Sequence, residues 1–191
     1  MSLSLIMTLF TPGEAARITG VSLDLQRDWR RRGYLPASEG HARFNLFDLG
    51  GMLVTQMLSE RGVGPTHTRE VAPLCAAAIA YFALTEPGAV EGLDDRSNLE
   101  RIKRQVLRDH PSNVFRHSRP GRFFIWWPDG TEWWDESIDR AFARRMLQES
   151  ETGAAPQKPA SPAIVIDLEE LGELLQRRAG RPLVCVWGGE Q

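Results

Sequence analysis

Residues 11–33, TPGEAARITGVSLDLQRDWRRRG, decide how the fold is read. Thr11 followed three positions later by Glu14 is a capping box, and Pro12 falls at the first helical position, where a missing N–H costs nothing. The pattern predicts a helix that opens at Pro12 and presents Ala15, Ala16 and Ile18 as a small apolar face. Gly20 can take the positive φ that ends a helix and turns the chain sharply. Ser22 then caps a second helix. Leu25 and Trp29, four apart, share one face of it, while Gln26, Arg27, Arg30 and Arg31 spread over the faces left outside. Gly33 stops it.

Downstream, Tyr34-Leu35-Pro36 and Ala42-Arg43-Phe44 read as two short extended pieces around the polar loop 37–41, the pattern of a β-wing carrying His41 and Arg43. Asn45, with Asp48 as the third helical residue, caps a further helix. In it Leu46, Leu49, Leu53 and Met57 recur at helical spacing, and it should end near Gly62.

Arginine has a chemical use on such a helix. A guanidinium binds two phosphate oxygens, or the O6 and N7 of a guanine, in one planar contact. The spaced series Thr11-x-Gly-Glu-Ala-Ala-Arg-x-Thr-Gly-Val-Ser22, Arg27-x-Trp29-x-Arg-Arg-Gly33, Leu35-Pro36, Arg43-Phe44 and Asp48-Leu49 resembles the DNA-binding domain of mercury-resistance-regulator (MerR) type proteins, over about residues 10–64. The resemblance implies a winged helix-turn-helix whose second helix enters the major groove of double-stranded DNA, with Arg27 and Trp29 at the contacting positions and Arg43 on the backbone. Gln26 stands where the resembled pattern usually has an apolar core residue, and Asp28 where it commonly has an aromatic or amide. The candidate DNA-binding set is Gln26, Arg27, Trp29, Arg30, Arg31, His41 and Arg43. Helices that follow the reader in that family pair two subunits, so a homodimer is expected.

Beyond the reader, Val71, Leu74, Cys75, Ala78, Ile79 and Phe82 mark a helix opened near Pro65 and ended by Pro87. Leu99, Ile102, Val106 and Leu107 mark another, stopped before Pro111. Together these form a connector over residues 65–118. The clearest hairpin signal is Arg122 to Trp127, the turn Pro128-Asp129-Gly130, and Thr131 to Trp134, which holds four of the six tryptophans. Alternation puts Phe123, Ile125 and Trp127 on one face and Phe124 and Trp126 on the other, the pattern of a buried inner strand. The alternative use of Trp126, Trp127, Trp133 and Trp134 is a surface for an aromatic or cationic effector or for a protein partner. A single-strand stacking platform would want basic neighbours, and Asp129, Glu132, Asp135 and Glu136 surround the turn. Hairpin and following helix fill residues 119–149. Residues 150–162, rich in Pro, Ala and Ser, read as a flexible linker. Residues 163–191 read as a strand-helix-strand tail, too small to fold alone and expected to pack on the hairpin.

The expected fold class is therefore α+β: an N-terminal winged helix-turn-helix, then helices and a small mixed sheet built on the aromatic hairpin. The chain of 191 residues is 42% hydrophobic with a net charge of −2, so attraction to nucleic acid must come from local placement. It has no basic leader, no apolar run of bilayer length, no phosphate loop, no nucleophile elbow and no metal-ligand spacing among its histidines and two cysteines. These features predict a cytoplasmic transcriptional regulator without catalysis, cofactor, metal or membrane partner. The rival reading is a protein-interaction adaptor, or a phage-type inhibitor, that keeps a reader-like fold and docks a partner through the aromatic hairpin.

Overall fold

The computed structural model describes residues 3–36, 41–93, 95–110, 115, 118–127, 130–151 and 163–188. The fold is α+β. A first strand, β1 (Leu3–Met7), precedes α1 (Pro12–Thr19), α2 (Leu23–Arg31) and α3 (Leu46–Ser59). A single turn α4 (Pro65–Thr68) leads into α5 (Val71–Ala83), followed by β2 (Val90–Glu91), a short 3-10 turn and α6 (Leu99–Arg108). The hairpin is β3 (Phe123–Trp126) and β4 (Glu132–Asp135), and α7 (Ile138–Glu151), β5 (Ile164–Asp167), α8 (Leu168–Ala179) and β6 (Val184–Gly188) complete the order.

The centre of the molecule is α5. Its sequence, Val-Ala-Pro-Leu-Cys-Ala-Ala-Ala-Ile-Ala-Tyr-Phe-Ala, is apolar all round, as a helix surrounded by protein must be. It packs against α3 on one side and α8 on another. Two glycines allow the approach: a Cβ on Gly50 would lie 3.1 Å from Ala76 Cα, and one on Gly172 only 2.6 Å from the Ala83 nitrogen. One continuous hydrophobic cluster runs from Phe10 to Val184, across the junction at 64/65 and into the last strand.

Two three-stranded sheets flank this core. In one, ordered β1-β6-β2, β6 runs antiparallel to β1 and parallel to β2. In the other, ordered β4-β3-β5, all pairs are antiparallel and β3 is central. The side-chain alternation expected of β3 is present. Phe124 and Trp126 join the main core, while Ile125 and Trp127 form a second cluster with Trp133 and Ala141.

Three expectations need correction. The tail does meet the hairpin through β5 and β3, but the rest of it goes elsewhere, since α8 packs on α5, α1 and α3 and β6 pairs with β1. The amphipathic face of α8 buries Leu168, Leu171 and Leu175, which the hairpin alone could not cover. The expected pairing within the wing is also absent among the described residues. Phe44 forms an antiparallel bridge with Phe10, at N···O distances of 2.8 and 2.9 Å, and the amides of Tyr34 and Leu35 turn back to the Trp29 carbonyl. The expected linker at 150–162 starts too early, since α7 runs to Glu151; its residues 152–162, like the wing tip at 37–40, lie outside the described residues.

Candidate nucleic-acid interface

Each helix of the N-terminal pair is held by the caps its sequence announces. Thr11 N donates to Glu14 Oε2 at 2.7 Å, and the Glu14 amide donates to Thr11 Oγ1 at 3.3 Å. Gly20 closes α1 at φ 80°, its N–H donating to the Ala16 carbonyl. Thr19 stiffens the turn: its hydroxyl donates to Ala15 O at 2.7 Å and accepts from Val21 N at 3.2 Å. Ser22 Oγ accepts from Leu25 N at 3.2 Å and opens α2.

The inward face of α2 is Gln26 and Trp29, buried to 2% and 3% exposure. Both were expected at a DNA contact, and the structure corrects both. Gln26 occupies a core position, and its amide nitrogen donates to the carbonyls of Pro12 at 3.0 Å and Val21 at 2.9 Å, tying α2 to both ends of the preceding segment. A polar residue survives there because the amide supplies two donors to carbonyls at its end of the helix pair. Trp29 lies on the same side as Leu25, in the main cluster.

The outward face carries the charges. The Arg27, Arg31 and Arg32 side chains are 73%, 76% and 60% exposed. Each is steadied by an acid one turn away: Arg27 on Asp24 at 2.8 Å, Arg31 and Arg32 on Asp28 at 2.5 and 2.8 Å. Partial desolvation works against ionisation of Asp28, but the hydrogen bonds from Arg31 and Arg32 outweigh it and hold the carboxyl below its usual range. The i,i+3 and i,i+4 spacing of these pairs is visible in the sequence and was the signal available for them. Arg30 is half-buried, its Nε donating to Pro36 O at 3.3 Å and its guanidinium 5.7 Å from the Phe44 ring centre. His41 and Arg43 are exposed, and among the described residues Arg43 bonds only to the neighbouring Ala42 carbonyl, at 3.0 Å.

The expected set therefore divides. Arg27, Arg31, His41 and Arg43 are at the surface, Arg30 is at its edge, and Gln26 and Trp29 are inside. Arg32 joins the exposed row. The chain matches no family model and no curated protein.

The tryptophans of the hairpin do not form an open surface. Trp127 is buried, and Trp134 is half-buried, packed 4.6 Å from Phe124 and 5.1 Å from Phe115 between ring centres. Trp126 and Trp133 are half-buried against the two clusters. The exposed apolar groups near the hairpin lie instead on α7, where Ile138, Phe142 and Met146 follow one another at helical spacing. No helix of the described residues is long and apolar enough to cross a membrane.

Proposed function

We propose that this protein is a cytoplasmic, sequence-specific regulator of transcription that binds double-stranded DNA through the N-terminal helix pair, a winged helix-turn-helix with α2 in the major groove. One observation carries the reading: α2 is fixed from behind by Gln26 and Trp29 while Arg27, Arg31 and Arg32 project from its free side. The segment from Leu23 to Arg32 holds four arginines against two aspartates, a local excess of positive charge on a chain that is negative overall. Arg43 and His41 would meet the backbone beside the groove. Operators are commonly two-fold, which fits a homodimer.

The test is fluorescence anisotropy on labelled duplexes over a salt series. Duplex binding should weaken steeply as salt rises. Arg27→Ala should cost about 1–3 kcal/mol on a preferred sequence only, if the residue reads a base, and should weaken all sequences alike if it touches phosphate. Absence of duplex binding at low salt overturns the reading.

A second reading is favoured by the stripe Ile138, Phe142 and Met146 on α7, exposed at 38%, 38% and 70%. A protein partner, or a second copy, would cover it. Replacing the more exposed Met146 and Leu147 with Ser should then abolish co-purification or dimer formation while leaving the melting curve of the monomer nearly unchanged.

A further inference from the structure

Between α2, α3 and α5 lies a cleft of about 570 Å³, lined by Trp29 of α2 and by the loop through which α2 exits. Its walls are largely apolar, from Trp29, Leu35, Phe47 and Met52. The space exists because Gly51 faces Ala72 and Ala76, where larger side chains would meet and fill it. Volume and lining are those of a site for a small organic molecule.

The charge inside decides the ligand. Asp48 lines the cleft half-buried; one carboxylate oxygen accepts from Asn45 N at 2.9 Å in the helix cap, and the other has no hydrogen-bond partner among the described residues. No described cation pairs with it. Burial raises its pKa, with the cap bond opposing, and its second oxygen is left open to the cleft as an acceptor. Of the other ionisable groups lining the cleft, His110 is kept toward its neutral form by burial, and Asp109 and Arg69 are exposed at the rim. Trp29 and Phe47 line the same cleft and supply aromatic surface at its wall.

We infer that this cleft binds a small organic ammonium compound, its nitrogen on Asp48 and its apolar body between Trp29, Phe47 and Met52, and that occupancy changes the DNA affinity of α2. The second half rests on the function proposed above; the first does not. The link is mechanical. The Trp29 carbonyl accepts from Tyr34 N at 2.8 Å and Leu35 N at 3.4 Å, so the wall of the cleft and the exit of α2 are one piece. From the other side Tyr34 Oη meets Thr66 Oγ1 at 2.7 Å, bridging that exit to α4. A molecule seated between them braces the helix that carries the arginines.

The test uses three compounds with one body and different heads: 4-phenylbutylamine, 4-phenylbutanol and 4-phenylbutyrate, titrated by calorimetry into the full chain. The amine should bind at least about tenfold tighter than the other two, a difference of the size a desolvated ion pair supplies. Asp48→Asn, whose side-chain oxygen can still accept from Asn45 N, should erase that preference and leave alcohol binding unchanged. Gly51→Leu should abolish binding of all three, with Ala72→Leu, on the opposite wall, as the parallel variant if the first fails to fold. Preference for the butyrate, no binding of any compound at millimolar concentration, or an amine preference that survives Asp48→Asn would each overturn the site. Saturating amine should then shift duplex affinity about fivefold or more in anisotropy. Tight amine binding with unchanged duplex affinity overturns the coupling and leaves the site standing. Amine binding by a chain that binds no duplex overturns the proposed function alone.

Discussion

Arg178 Nη1 donates to the carbonyl oxygen of Ile18 at 3.0 Å, and Arg17 donates in return to the carbonyl of Arg178. Each arginine stands in the last turn of its own helix and satisfies carbonyl groups at the end of the other, where a helix lacks internal partners and carries partial negative charge. The first and last helices of the chain thus close each other. Arg178→Ala should cost about 1 kcal/mol and lower the melting temperature by roughly 2–4 °C. Amide exchange should accelerate first in the last turn of α1, read by hydrogen-exchange mass spectrometry.

Gly172 sets the distance between α8 and α5. A methyl group there would meet the Ala83 nitrogen at 2.6 Å, Phe82 Cβ at 2.8 Å and the Ile79 carbonyl at 3.0 Å, two of them backbone that cannot step aside. Gly172→Ala should destabilise by about 3 kcal/mol through overpacking, against the gain in helix propensity that alanine brings elsewhere. Chemical denaturation should show a lower midpoint with unchanged slope.

Gln26 separates a structural from a reading role. Gln26→Leu removes the two bonds to Pro12 and Val21 carbonyls and should lower stability by about 1–2 kcal/mol. Measured well below the melting temperature, its duplex affinity should stay within about twofold of the parent. A loss of discrimination between sequences at full folding would instead place the amide in the groove.

Asp28 restrains two guanidinium groups and offsets their charge. Asp28→Asn should release both, raise affinity for random duplex and steepen its salt dependence by up to about one unit of slope per additional phosphate engaged. Anisotropy titrations at three salt concentrations suffice to measure it.

Glu14 gives the capping box a pH signature. Its backbone bond from Thr11 N and its side-chain bond from Thr11 outweigh desolvation, with Arg181 at 3.1 Å adding to them, and hold the carboxyl below the usual glutamate range. A native pKa below the unfolded one means stability that is complete above the ordinary glutamate value and is lost as pH falls through the lowered one. Glu14→Gln should therefore melt earlier than the parent at neutral pH, and the two melting temperatures should converge in acid.

Local signals carried most of the fold. The caps at Thr11, Ser22, Asn45 and Asp167 stand where their side-chain spacing placed them, and the alternation of Phe123 to Trp127 divides between two clusters as read. Distant pairing was not legible. Leu3–Met7 is too short to show a period, and its partner Val184–Gly188 lies at the other end of the chain. The two residues of β2 carry no pattern at all. At the interface, arginines on the outer face could be read from helical spacing. Polarity assigns Gln26 outward, although the resembled pattern has an apolar core residue at that position; two carbonyls brought close once the turn has formed decide its place. The cleft beside Trp29 is equally non-local, needing the small side chains of α3 and α5 to come face to face.

The pairing of β1 with β6 also bears on how the protein is made. β6 follows β1 by most of this sequence, so the sheet joining them, and the arginine that finishes α1, can form only after α8 and β6 have been made. Until then the apolar inner edge of β1 and the face of α5 reserved for α8 stay uncovered on the nascent chain. The helix pair that carries the arginines therefore gains its last support from a segment made long after it.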